Sequence, residues 1–113
     1  MIESILTSIK KLIGIAEEYE YFDADLIIHI NSVFMILRQL GVGPDDGFFI
    51  EDSSAIWSDY TDDEVLYNAV KSYMAFKVRM MFDPPQSSAV TEAINKEISE
   101  LEWRLLMVAE IGV

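Results

Sequence analysis

The stretch from Leu26 to Leu40 constrains this chain more than any other. Leu26, Ile27, Ile28, Ile30, Val33, Phe34, Met35, Ile36, Leu37 and Leu40 surround most of the circumference of a helix. A helix apolar on nearly all sides must be covered on several of them. Either it is central to its own bundle, or its second face is buried by another subunit. Its β-branched content suggests a strand, but the span is long for one. His29, Asn31, Ser32, Arg38 and Gln39 interrupt it, so it is too short and too polar to cross a bilayer. Asp23 or Asp25 is expected to cap this helix, and Gly41 to end it.

Three further helices are expected around it. The first covers Ile2 to Ile13, with Ile2, Ile5, Leu6, Ile9, Leu12 and Ile13 on one face, Lys10 and Lys11 in the last turn and Gly14 as the stop. Glu17 to Phe22 read as a linker. The third helix starts near Thr61, where Thr61-Asp62-Asp63-Glu64 matches a capping box. It runs to Phe82, turns Val65, Leu66, Ala69, Val70, Tyr73, Met74 and Met81 inward, and stops at Asp83-Pro84-Pro85. Ser87 or Ser88 caps the fourth, whose stripe of Val90, Ile94, Ile98, Leu101, Leu105 and Val108 ends at Gly112. Gly43 to Gly47 form a turn cluster. Phe48 to Ile50 and Ala55 to Trp57 are extended pieces able to form a small hairpin. The expected fold is all-α, a single domain over residues 1–113: a small bundle of about four helices, with a loop or short hairpin between the second and third.

Charge narrows the function classes. Twenty Asp and Glu against eight Lys and Arg give a net charge of −12 over 113 residues. That excludes a sequence-independent grip on nucleic-acid phosphates and disfavours an anionic membrane surface. There are no cysteines, hence no disulfide, thiolate catalysis or Cys-ligated zinc. The N-terminal residues lack the pattern of a signal peptide. An acidic, intracellular-type soluble domain is the expectation.

No residue is assigned a catalytic, metal-ligating or cofactor-binding role, and enzyme activity is not expected. His29, the sole histidine, sits between Ile28 and Ile30 and reads as structural. Asp23-x-Asp25 and Asp45-Asp46-Gly47 resemble fragments of calcium loops but do not continue into the twelve-residue pattern. No phosphate-binding, dinucleotide-binding or hydrolase motif occurs. Met74, Met80 and Met81 serve as core gap-fillers or as an adaptable binding surface. Trp103 is expected in the core. Phe48, Phe49 and Trp57 either close one end of the helix pack or dock into a neighbouring subunit.

The run from Asp23 through His29, Asn31 and Arg38 to Gly41 and Pro44 resembles the second helix and following turn of head–tail connector (adaptor) proteins of tailed phages and prophages of Gram-positive bacteria. Trp57-Ser-Asp, Val70-Lys-x-Tyr73, Lys77-Val-Arg-x-x-Phe-Asp-Pro-Pro85, Ser87-Ser-Ala-Val and Glu100-Leu-Glu-Trp-Arg-Leu105 resemble the rest of that family, in order, from about Ile5 to Glu110. The resemblance implies a non-enzymatic virion protein that forms a ring of about twelve subunits between the portal and the stopper or tail-completion proteins. Such a ring extends the DNA channel, lets DNA pass through without specific binding, involves no membrane and is assembled in the host cytoplasm. Candidate contacts with a neighbouring subunit or the portal are Phe48, Phe49, Ile50 and Trp57, with Arg38, Lys77 and Arg79 as ion-pair partners for a neighbour's acids. The alternative is an acidic DNA mimic that inhibits a DNA-binding enzyme.

Overall fold

In the computed structural model, which describes residues 1–111, the helical signals condense into α1 (Ile5–Leu12), α2 (Asp23–Gln39), α3 (Trp57–Tyr60), α4 (Glu64–Phe82) and α5 (Ser88–Ile111). Among the described residues the only β pairing is a single bridge between Ser4 and Ile56. The fold is all-α, as the sequence implies, with α2 and α4 at its centre. α2 contributes Leu26, Ile30, Val33, Phe34 and Leu37 to the core, and α4 contributes Tyr67, Val70, Tyr73, Met74 and Val78. α1 adds Ile5, Leu6 and Ile9, and α5 adds Ile98 and Leu105. Each fully buried aliphatic side chain contributes about 1.5–3 kcal/mol. Among the described residues, no helix is long and apolar enough to cross a membrane.

Trp57 ties three segments together. It is fully buried, and its indole N–H donates to the Ser8 hydroxyl at 2.8 Å, which in turn donates to the Ile5 carbonyl at 2.9 Å. Its ring packs among those of Phe34, Tyr60 and Tyr67. Around it the backbone is stitched to the N-terminal residues: the amides of Ile5, Trp57 and Ser58 donate to the carbonyls of Ala55, Glu3 and Met1. This pairing corrects two expectations. The first helix begins after Ser4, which caps it through the Thr7 amide, and Ile2 is exposed. The segment from Ala55 to Trp57 pairs with the N-terminal residues, so it makes no hairpin with Phe48–Ile50.

Capping differs from the simplest reading in two places. The cap residue of α2 is Phe22, which has no side-chain bond to offer. Asp23 is engaged elsewhere: it pairs at 2.8 Å with the ammonium of Lys10, a lysine only 2% exposed. That ammonium also donates to the carbonyls of Glu17 and Tyr19, at 2.9 and 2.7 Å. One lysine therefore fixes the whole α1–α2 linker. α4 is capped by Asp63, whose carboxylate accepts from the Val65 and Leu66 amides, while Thr61 accepts from the Asp63 amide. Along α4 the buried stripe is Tyr67, Val70, Tyr73, Met74 and Val78, so Val65 and Met81, expected inside, are exposed.

The helix stops follow the sequence. At the end of α2, Gly41 takes φ +86°, its amide bonds the Arg38 carbonyl, and the Val42 amide bonds the Leu37 carbonyl. This paired closure requires the left-handed residue that glycine supplies. α1 closes in the same way at Gly14. Asp83 ends α4 before the two prolines, and Ser87 caps α5 through the Val90 amide. Within the α5 stripe, Ile98 and Leu105 are buried and Val90 is exposed; Trp103, expected inside, is 60% exposed. The expected stop at Gly112 lies outside the described residues. His29 packs edge-on to Phe82. Tyr73 donates to Glu102 at 2.7 Å, and its burial holds the phenol well above its ordinary pKa.

Replacing Lys10 with Met removes the ion pair and both carbonyl contacts. Stability is expected to fall by about 2–3 kcal/mol. Amide exchange should quicken selectively across residues 17–23. Denaturant titration and hydrogen-exchange measurements check the two effects separately.

Candidate assembly surfaces

Burying one face of α2 in the bundle leaves apolar side chains on another. Ile28 and Met35, two turns apart on that helix, are 63% and 58% exposed. Seven residues along a helix return to nearly the same face. Asn31 projects beside them and holds the following loop. Its side-chain oxygen accepts from the Ile50 amide at 2.8 Å, and its NH₂ donates to the Ile50 carbonyl at 2.9 Å. This two-way bond lays Phe48–Ile50 along α2 as an added strand would lie along a sheet. Ile50 turns into the core, Phe48 wedges against Phe34 and Tyr60, and Phe49 points out at 67% exposure. Phe49 and Met35 line one hollow beside α2.

The turn that leads into this segment is tight. A Cβ on Gly43 would lie 2.6 Å from the Tyr60 hydroxyl, so glycine permits the close approach. Burial pushes the Tyr60 phenol up, and its hydroxyl has no hydrogen-bond partner among the described residues. The Arg38 guanidinium donates to the Asp45 carbonyl at 3.1 Å and braces the turn.

A second apolar surface lies between α4 and α5. The first half of α4 and the last half of α5 diverge into a groove lined by Val65, Leu66, Ala69, Leu101, Leu105 and Val108. Asp63 and Arg104 stand at its rim. Val65 is 80% exposed at the mouth. Ile28, Met35 and Phe49 form an exposed ridge of side chains on the α2 side, with Met35 and Phe49 edging a hollow that Arg38 and Phe48 also line, and the second surface is the α4–α5 furrow.

The expected contact residues separate on this geometry. Phe49 is exposed and Phe48 half-buried, whereas Ile50 and Trp57 lie inside the subunit at 2% and 0% exposure and offer no surface. Their apolar size serves the core. Arg79 donates to the Asp83 carbonyl at 2.9 Å and closes its own helix, and Lys77 is half-buried on α4. Among the described residues the ion pairs are Lys10–Asp23, Lys71–Glu3 and Arg104–Glu100, so most acids have no basic partner. Sequence reasoning passed over Ile28, Met35 and Val65 as surface residues. The all-round apolarity of α2 was the available signal for the first two. Among the described residues no cluster of three or more His, Asp or Glu is arranged to hold a metal ion.

Comparison with known proteins gives one result: the family model described as phage connector protein matches residues 5–111. No curated protein and no solved structure matches.

Asn31→Ala deletes both bonds to Ile50 and is expected to cost about 1–2 kcal/mol. The Ile50 amide should lose protection while those of α2 and α4 keep theirs, a pattern that NMR-detected exchange resolves.

Proposed function

This chain belongs to the phage connector protein family, and on that premise we propose that copies of it close into a ring at the head–tail joint, between the portal and the stopper or tail-completion proteins. The role is structural rather than enzymatic. In a ring of identical subunits each copy meets its neighbours through two different faces. One observation carries the reading: a single subunit bears two unlike exposed apolar surfaces, the α2 ridge with Phe49 and the α4–α5 groove. The ridge of one copy enters the groove of the next. Contiguous apolar surface of this kind ordinarily marks an interaction site.

Charge suits the lumen of such a ring. A subunit at −12 repels phosphates, and the field adds up around a closed circle. DNA therefore passes without adhering. The same repulsion opposes assembly, so the free chain is monomeric or weakly associated, and the portal supplies the template. The ring then resides in the virion at the head–tail junction, after assembly in the host cytoplasm.

Two substitutions test the interface. Met35→Asp on the ridge and Val65→Asp at the groove both alter exposed side chains, so each should change monomer stability by less than about 0.5 kcal/mol. Each is expected to abolish rings formed with the cognate portal, as counted by negative-stain microscopy. Mixed together, the two variants retain one sound interface and should stop at a heterodimer. Rings of normal abundance from both single variants would refute the contact.

Sedimentation of the pure protein across a salt series checks the role of charge. Association should rise with salt as repulsion is screened over a Debye length of about 10 Å at 0.1 M. A stable ring at low salt without the portal would overturn the template requirement.

A further inference from the structure

The α1–α2 linker presents a third surface, at the end of α4 remote from the groove. Ile13, Gly14, Ile15, Ala16, Tyr19, Phe22, Phe82 and Asp83 line an open apolar trough there. Tyr21 and Phe22 meet edge to face with centroids 5.0 Å apart, as do Phe22 and Phe82. Tyr19 lies 5.8 Å from Phe22. Yet Tyr19 and Tyr21 remain 50% and 79% exposed. The linker also carries Glu17, Glu18 and Glu20, all exposed, with Asp25 just beyond. Of the basic side chains nearby, Lys10 is buried against Asp23 and Arg79 is turned onto the Asp83 carbonyl, while His29 packs on Phe82.

This display is held in place. The Lys10 ammonium grips the Glu17 and Tyr19 carbonyls, and the Tyr19 and Asp23 amides close turns onto the Ala16 and Glu20 carbonyls. Taking a lysine charge out of water is unfavourable unless it is well paired. Here it fixes a linker whose aromatic rings face solvent, so the trough is preorganised for a ligand.

From these observations we infer that the trough binds an arginine-bearing basic segment of a different protein. Guanidinium groups stack on the faces of exposed tyrosines and pair with carboxylates in the same geometry. The surrounding acids supply the complementary charge. A second copy of this chain is a poor occupant. Lys71 and Arg104 are in ion pairs, and Arg38 and Arg79 brace backbone carbonyls. Lys11, Lys77 and Lys96 stand on three separate helices and make no basic segment. The inference deepens the connector reading, in which other particle proteins meet the ring, and it assigns them a surface distinct from the ridge and groove.

The test uses the full chain, isotope-labelled, titrated with a blocked peptide of alternating arginine and leucine and with its lysine counterpart. Amide shifts should be confined to residues 13–25 and 82–83. The arginine peptide should bind about fivefold more tightly than the lysine one. Replacing Tyr19 and Tyr21 together with Ala should weaken it about tenfold while the variant, at a lowered melting temperature, keeps the wild-type amide spectrum outside residues 13–25 and 82–83. Met35→Asp should leave peptide binding intact, so a failure of ring assembly and a failure of this site remain distinguishable. Shifts spread over the whole acidic surface, equal affinity for both peptides, undiminished binding by the tyrosine variant, or no binding at all would each overturn the assignment. So would concentration-dependent shifts at the trough without peptide, which would show a second copy filling it.

Discussion

The burial of Trp57 is the constraint on which the rest of the bundle depends. An indole completely removed from water needs a partner for its N–H, and Ser8 of α1 provides it. That single bond fixes the distance between α1 and the short α3. The residues flanking the tryptophan then meet Met1–Ser4 and exchange backbone bonds with them. With the N-terminal residues joined in this way to the middle of the chain, α1 and α3 are held together beside α2 and α4. The aromatic rings of Phe34, Tyr60 and Tyr67 fill the space around the indole. A smaller side chain at this position would leave a void touching four elements at once.

Against that interior, the polar groups act as fasteners for irregular segments. Lys10 binds one linker and Asn31 the other, each through backbone carbonyls or amides that have no helix to satisfy them. Neither residue reaches across the bundle. Long connections in a small domain are thereby pinned locally, while apolar packing supplies the bulk of the stability. Exposed aromatic side chains then sit on fixed supports: Phe49 on one linker, Tyr19 and Tyr21 on the other.

Much of this was legible in the sequence. The period of apolar residues located four substantial helices, and the glycines after α1 and α2 located their ends, because those signals are local. Non-local pairings were not legible. Nothing in Met1–Ser4 announces a partner some fifty residues away, and that partner removed both the first turn of the expected helix and the expected hairpin. Asp23 looks like a cap because its neighbours permit one; its true partner, Lys10, lies across a turn. Thr61 and Asp63 are both competent caps, and apolar side chains lie on more than one face of α4, so periodicity alone did not decide between Val65 and Tyr67 for the core. Of the expected contact residues, Trp57 and Ile50 lie inside the subunit, and the sequence did not show it for a related reason. Composition identifies apolar side chains in a turn-rich region without saying which way each one points. The all-round apolarity of α2 was the most informative feature, since it required a covered second face before any surface could be drawn.

One chain carries both the α2 ridge and the α4–α5 groove. In the proposed ring, each mutation at the ridge is present in every copy simultaneously, and its compensating change must arise in the same gene. The interface therefore coevolves within one reading frame and travels intact when phages recombine. Contacts with other particle proteins lack that linkage. In the proposed assembly a change on one side of such a contact is not carried by the other side, so substitutions should be harder to accommodate at the outer surfaces of the ring than between its subunits.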